Sequence, residues 1–188
     1  MGDWPEGLGT MSTDAAGTTC VDVEPGQWLQ ALTHARDTGH ELFDWLSAVD
    51  EPDADPPSVD VVVHVVALDP LRRLLLRTRV NGTVPRVDSL TGLWAGAAWH
   101  ERETHEMFGV DFDGYCDGSG VGLRPLLLPD GFAGTPLRKS FVLAARAAKP
   151  WPGAKEPGEG AETRTSPARR SLLPPGVPDP TTWGPRDA

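Results

Sequence analysis

Apolar and polar positions alternate through the central part of the chain in a pattern that predicts a small sheet. Residues 59–66 are β-branched at nearly every position, which is typical of a central strand. Residues 74–80 predict a second strand with a period of two. One face would hold Leu74, Leu76, Thr78 and Val80, and the other Leu75, Arg77 and Arg79. Residues 41–49 alternate in the same way and predict a third strand. The pair Asp69-Pro70 is a turn sequence between the strands predicted at residues 59–66 and 74–80.

Two stretches have the spacing of three and four that predicts helices. The first begins at Pro25, because proline is favoured in the first turn of a helix. The second covers residues 90–108, with Asp88 or Ser89 as its cap. The sequence leaves open whether this stretch is one helix or two with a break near Gly96. The apolar stripe of the first helix is Trp28, Leu29, Leu32 and Ala35, and the stripe of the second is Leu90, Leu93, Trp94, Ala97, Glu101, Thr104 and Phe108.

These elements predict an α+β fold: a small, mainly antiparallel sheet packed with helices, followed by the second helix and an extended C-terminal tail. Residues 1–19 are rich in Gly, Thr and Ala without periodicity, and are predicted to be a disordered leader. Residues 20–143 form the predicted α+β domain. Residues 144–188 hold nine prolines and five glycines, which indicates an extended segment. Within this tail Trp151 and Trp183 are expected to be anchors that order on a partner.

The charge of the chain argues against nucleic acid as a partner. The formal net charge is −10, and phosphates would repel such a surface. The tail at 144–188 has seven basic and five acidic groups, so the rest of the chain carries −12. An acidic body with a mildly basic tail favours polar contacts with other proteins.

Membrane spans and metal clusters are not expected. The longest apolar run is broken by Asp60 and His64 and is far shorter than the ~20 residues of a spanning helix. No signal region begins the sequence, so we expect a cytosolic chain that reaches a membrane only through a partner. Cys20 and Cys116 cannot hold an iron–sulfur cluster alone, because such a cluster normally takes four cysteines. We expect them to be free thiols.

Four ionisable side chains crowd just over one turn of the second predicted helix: Glu101, Arg102, Glu103 and Glu106. One interpretation is a solvated face, since Glu101 lies four residues before His105 and Arg102 four before Glu106, and such pairs meet on a helix surface. The other is a network that needs partners, because charged residues are rarely buried unpaired. Arg124 or Arg138 could then grip Glu101, Glu103 or Glu106 with its guanidinium, either within the chain or at an interface. Because Glu101 continues the apolar stripe, we expect it to be less exposed than Arg102.

A metal site on this helix is disfavoured by its spacing. A zinc helix places histidines four residues apart on one face, whereas His100 and His105 are five apart, or about 140° around the helix.

The charged string belongs to a longer pattern. Residues 101–112 resemble the signature of the C-type subunit of respiratory complex I, the proton-pumping NADH-quinone oxidoreductase. Residues 122–127 are similar to the later basic-apolar element of that family, and residues 135–141 to its closing Pro-Leu-Arg-Lys-Asp-Phe motif. The resemblance covers about residues 25–143. The chain departs from the family pattern at Gly114-Tyr115-Cys116 (usually Gly-His-Pro), in an apparent insertion at 117–121, at Ser140 (usually Asp) and at Val142 (usually Pro).

The resemblance implies a non-catalytic structural subunit in the peripheral arm of a proton-translocating NADH-quinone oxidoreductase. Such a chain binds no redox cofactor and no metal, and docks onto the D-type subunit, which lines the quinone site. It would be peripheral, at the cytoplasmic face of the cell membrane. The expected partner-binding or structural ion network is Glu101, Arg102, Glu103, Glu106, Arg124, Arg138 and Lys139.

Two alternatives stay open at this point. The chain could be the equivalent subunit of a membrane-bound hydrogenase or of a formate-linked complex, which neighbouring genes would distinguish. A function of another class is a stand-alone small hydrolase that uses His105 and Glu106. That hypothesis predicts a pocket in which both side chains converge with a nucleophile.

Overall fold

The computed structural model describes residues 4–142, which contain one five-stranded sheet, a two-stranded sheet and two α-helices. The α+β prediction is confirmed. The large sheet has the order β1-β2-β5-β4-β3 and is antiparallel except between β2 and β5. Its strands are β1 (Thr10–Thr13), β2 (Thr19–Val23), β3 (Leu42–Glu51), β4 (Ser58–Leu68) and β5 (Leu71–Asn81); the small sheet pairs β6 (Arg86–Asp88) with β7 (Asp111–Asp113).

Strand β4 is the interior strand that the β-branched run predicts. It pairs with β3 on one side and β5 on the other, and its core-facing valines (59, 61, 63 and 65) have no exposed surface. On β5 the predicted alternation is also confirmed, because Leu74, Leu76 and Val80 are buried while Arg77 and Arg79 are exposed. Burial of these aliphatic side chains is the main force that sets the register of the sheet.

Helix α1 (Trp28–Asp37) follows a 3-10 turn at Pro25–Gln27, and its buried side chains belong to the same core cluster as the valines of β4. Its buried residues are Trp28, Ala31, Leu32 and Ala35. The predicted stripe included Leu29, which is 38% exposed instead. Ala31 belongs to the buried stripe in its place, because positions 28, 31, 32 and 35 share one face of a helix.

The prediction of a disordered leader is wrong over residues 4–19. Strand β1 pairs with β2, which joins the sheet by parallel pairing with β5. Leu8 is buried in the core, and the indole N–H of Trp4 donates to the Leu8 carbonyl at 3.0 Å. Residues 1–3 and the predicted tail at 144–188, with Trp151 and Trp183, lie outside the described residues.

The charged helix α2 (Ala97–Phe108) is shorter than predicted. It begins after Gly96, and Gly109 ends it in the left-handed conformation with φ = 73°. Residues 90–96 form turns instead, in which the N–H groups of Leu93 and Trp94 both donate to the Leu90 carbonyl. Ser89 therefore does not cap the helix. The structure adopts neither alternative, because a single helix begins after Gly96 and only turns precede it at residues 90–96.

Helix α2 packs against β3. In the sequence it connects β6 to β7, the two parallel strands of the small sheet. His100 Nδ1 is 3.2 Å from the Leu46 carbonyl oxygen on β3, and the indole N–H of Trp94 donates to the Glu41 carbonyl at 2.8 Å. Arg86 on β6 bridges to Asp111 and Asp113 on β7. Among the described residues, neither helix has the length and hydrophobicity needed to cross a membrane.

Candidate functional site

Glu101 is completely buried and binds the loop that precedes its own helix. Its carboxylate accepts a hydrogen bond from the Ser89 hydroxyl at 2.7 Å and another from the Leu90 N–H at 2.6 Å. Burial raises the pKa of Glu101 to about 7, although both hydrogen bonds favour the charged form. The expectation that Glu101 is less exposed than Arg102 is confirmed, at 0% against 7%.

Arg102 binds backbone carbonyls of the loop at 123–128. Its Nε donates to the Arg124 carbonyl at 3.0 Å, and one terminal nitrogen donates to the Pro125 carbonyl. The guanidinium carbon lies 5.5 Å from the centroid of the Trp99 ring, a cation–π distance. A buried guanidinium is tolerated here because oxygens and an aromatic face surround it.

Glu106 binds the next part of the same loop. Its carboxylate accepts three backbone hydrogen bonds, from the N–H groups of Leu126 (2.6 Å), Leu127 (2.8 Å) and Leu128 (3.3 Å). Arg102 thus satisfies carbonyls and Glu106 satisfies N–H groups of one irregular segment. Backbone polar groups in such a segment have no ladder partners and must be satisfied in another way.

Arg138, near the end of the described residues, binds both β3 and the last residue of α2. Its Nε donates to the Phe108 carbonyl at 2.6 Å, and one terminal nitrogen pairs with Asp50 at 2.9 Å. The N–H of Lys139 donates to the other Asp50 oxygen at 2.7 Å. Burial acts to raise the pKa of Asp50, but the bonds from Lys139 and Arg138 outweigh it and hold this pKa below its ordinary value.

Asp50 is a site residue that sequence reasoning missed. It is 7% exposed and lies on β3 at the same parity as the buried Leu46 and Ala48. A carboxylate in the inward register of a strand needs a partner, and that alternation was the signal that could have found it.

Arg124 pairs with a residue of the apparent insertion. Its guanidinium binds the Asp117 carboxylate and the Ser119 hydroxyl. Hydrogen bonds from Ser119 and Arg124 hold the pKa of Asp117 well below its usual range. The unusual residues just before it contact the region around the start of α2: the Tyr115 hydroxyl donates to the Ala98 carbonyl at 3.4 Å, and the Cys116 N–H donates to the Thr91 hydroxyl at 3.1 Å.

The predicted pairing of Arg124 or Arg138 with a glutamate of the charged helix is therefore wrong. Among the described residues, the ion pairs of these arginines are with Asp117 and Asp50, and neither Arg102 with Glu106 nor Glu101 with His105 forms a pair. Glu103 is exposed, and Lys139 joins the network through its backbone N–H. The glutamates bind hydroxyl and N–H donors because the irregular loops around α2 offer many of them.

His105 and Glu106 both line a cleft of about 260 Å³ between α2 and the loop that follows β7. Thr135 also lines this cleft. The Glu106 oxygens are occupied by the three loop N–H groups, and His105 Nδ1 is 3.0 Å from the Val110 carbonyl oxygen. Within residues 4–142, no three His, Cys, Asp or Glu side chains are placed to hold a metal, and Cys20 and Cys116 are free.

The sequence of the chain is similar to those of known proteins. Residues 21–147 match the family model of the respiratory-chain NADH dehydrogenase, 30 Kd subunit. The C subunit of a NADH-quinone oxidoreductase from Roseiflexus sp. is 35% identical over 137 residues, which is 71% of this chain and 75% of the relative. The protein of the same name from Mesorhizobium japonicum is 39% identical over 134 residues, covering 69% of this chain and 62% of the relative.

Two solved structures share the fold. A trypsin-resistant fragment of Nqo5 superposes with a TM-score of 0.54 and 25% identity, covering 58% of this chain and 89% of the fragment. A chain of the archaeal membrane-bound sulfane sulfur reductase has a TM-score of 0.54 and 18% identity, covering 62% and 68% of the two chains, and shows the fold alone. The resemblance inferred from the three sequence motifs is confirmed. The chain belongs to the family of the 30 kDa subunit of respiratory-chain NADH dehydrogenase.

Proposed function

We propose that the chain is a non-catalytic structural subunit in the peripheral arm of a proton-translocating NADH-quinone oxidoreductase. In this proposal it docks onto the D-type subunit beside the quinone site and holds no redox cofactor. It is associated with the cytoplasmic face of the membrane only through the complex.

The observation that carries the proposal is what the charged side chains bind. Arg102 and Glu106 are engaged with backbone groups of the loop at 123–128, and Arg138 with Asp50 and the end of α2. A catalytic carboxylate in a cleft must be free to meet substrate, whereas the oxygens of Glu106 at its cleft are occupied by three loop N–H groups. A set of charges turned onto the chain's own backbone supports a scaffold that fixes the shape of a surface.

The alternatives have less support. A hydrolase using His105 and Glu106 needs a free carboxylate, whereas that of Glu106 accepts three hydrogen bonds from the loop. For a hydrogenase or formate-linked complex, the similar membrane-bound reductase chain supports only the fold. The relatives from Roseiflexus and Mesorhizobium are both named for NADH-quinone oxidoreductase, which supports the respiratory assignment.

Deleting the gene in its own host tests the proposal. We expect membranes of the deletion strain to lose NADH-driven quinone reduction and to lack the intact complex on a native gel, while electron transfer from NADH to a soluble ferricyanide acceptor by the remaining subunits is better preserved. Expression of the full chain should restore both the complex and its activity. Intact, active complex in the deletion strain would refute the respiratory assignment, and hydrolytic turnover by the isolated chain that His105→Ala abolishes would favour the hydrolase.

A further inference from the structure

An exposed surface lies beside the charged side chains of α2. The hydrogen bonds that these side chains make within the chain do not explain why its apolar residues are exposed. We use the name clamp surface for the outward side chains of Trp99, Glu103 and Leu127. Trp99 is 62% exposed, although tryptophan is highly buried on average, and Leu127 is 61% exposed. Glu103 lies one turn after Trp99 on the same ridge of the helix.

The clamp surface is held rigidly from below. Arg102 lies over the Trp99 ring and also binds the Arg124 and Pro125 carbonyls. Glu106 lies one turn further along the same ridge, and its carboxylate accepts hydrogen bonds from the N–H groups of residues 126, 127 and 128. A surface fixed in this way loses little conformational entropy when a partner binds, so its exposed apolar groups are suited to be anchors.

The charge of the clamp surface selects the chemistry of the partner. Glu103 is exposed and has no ion pair among residues 4–142. Of the nearby cations, Arg124 is paired with Asp117, while Arg102 binds neutral carbonyls and keeps its charge; the Glu103 and Glu106 carboxylates together outweigh that one cation. The chain without residues 144–188 has a net charge of −12. A basic partner segment would be drawn to this side, and an acidic one repelled.

We propose that the clamp surface is the docking site for an arginine-bearing segment of the D-type subunit. The arginine guanidinium would pair with the Glu103 carboxylate and stack on the exposed part of the Trp99 ring, and an adjacent apolar side chain would pack on Leu127. This inference rests on the proposed function, because it names the surface through which that function is exerted.

Affinity measurements with the full chain and the purified D-type subunit test the inference. Trp99→Ala should raise Kd at least about 30-fold, as expected for truncation of an aromatic anchor. The matched control is Trp45→Ala, since Trp45 is another exposed tryptophan (37%) but lies on β3 and stacks on His64; its Kd should stay within about twofold. Thermal unfolding of both variants checks that each remains folded.

The charge contribution is measured separately. Binding of the wild-type chain should weaken as NaCl increases, and Glu103→Gln should reduce that dependence because one exposed ion pair is lost. Glu103→Lys should weaken binding further, whereas Glu41→Lys, the same reversal at an exposed glutamate outside the clamp surface, should leave Kd unchanged.

Photo-crosslinking within the assembled complex identifies the contact. With p-benzoylphenylalanine at position 99 we expect a product with the D-type subunit, and none with the same group at position 45. Crosslinking at 45 but not 99, or an unchanged Kd for folded Trp99→Ala, would overturn the docking site while the proposed function stands. A crosslink from 99 to another protein of the complex would overturn the choice of partner. Failure of the wild-type chain to bind this partner or enter the complex would instead defeat the proposed function itself.

Discussion

Replacing Glu101 by glutamine should change how the stability of the chain depends on pH. The pKa of Glu101 is raised from 4.5 to about 7 in the folded chain, because the carboxyl is buried away from water. Between these values the folded chain binds a proton that the unfolded chain releases. Stability contributed by the neutral carboxyl is thus fully present below pH 4.5 and is lost as pH rises through 7.

The size of this effect follows from the same two values. Each pH unit between them costs about 1.4 kcal/mol of unfolding free energy, so the wild-type chain loses on the order of 3 kcal/mol between pH 4.5 and 7 through this one group. A domain of this kind has a total stability of roughly 5–15 kcal/mol, so the loss is measurable. Glu101→Gln preserves the shape of the side chain and removes the titration.

Denaturant unfolding of the two chains at about pH 5, 6, 7 and 8 measures the difference, because these values span the range over which the carboxyl titrates. At pH 5 the unfolding free energy of the Glu101→Gln variant should not exceed that of the wild-type chain. As the pH rises, the unfolding free energy of the variant should increase relative to that of the wild type. Glu103→Gln, at an exposed position one turn away from Trp99, should run parallel to wild type at every pH. Stability differences that stay constant across the whole range for Glu101→Gln would refute the argument that burial controls this carboxyl.

Three other outcomes are expected. Arg138→Ala should lower the unfolding free energy by about 3–5 kcal/mol, because it leaves the buried Asp50 carboxylate without its cation, and a double-mutant cycle with Asp50→Ala should show strong coupling between the two. Glu106→Gln should speed hydrogen exchange at the amides of residues 126–128 by weakening charge-assisted bonds worth roughly 1.5–3 kcal/mol each, and equal exchange rates in both chains would contradict the role of Glu106 in holding this loop. The purified chain should contain no iron, flavin or stoichiometric zinc, since His100 and His105 face the carbonyls of Leu46 and Val110; one equivalent of zinc bound at either histidine in elemental analysis would count against this.

The sequence predicts the sheet well because local alternation decides it. On β4 a nearly continuous β-branched run marks the interior strand, and on β5 the inward positions are aliphatic apart from Arg72 and Thr78, so a period of two is enough to place that strand and its faces. Burial of Glu101 is predictable for the same reason, since it continues the apolar stripe of its helix.

Long-range pairing explains most of what the sequence does not predict. Residues 10–23 look featureless alone, but β2 finds its partner in β5, where Thr19 lies opposite Leu74. The helix start is missed because the apolar spacing from Leu90 to Trp94 also suits the turns that the chain forms there. Glycines at 92 and 96 lower helix propensity in that stretch, and the helix begins only after the second.

The partners of the charged residues were the least predictable part of the site, and their identity accounts for why the three sequence motifs occur together. Arg102 and Glu106 of the first motif bind backbone groups of the second and its extension, at residues 124–128. Arg138 of the third motif binds the carbonyl of Phe108, the last residue of α2, and the N–H of Leu137 donates to the Met107 carbonyl. Side chains of one motif therefore bind backbone groups of another motif that have no partner in a helix or sheet. Substitution of such a side chain leaves those backbone groups without a hydrogen bond. The surface at Trp99 and Leu127 depends on these bonds, so we expect substitutions at Glu106 or Arg102 to weaken docking without touching the partner.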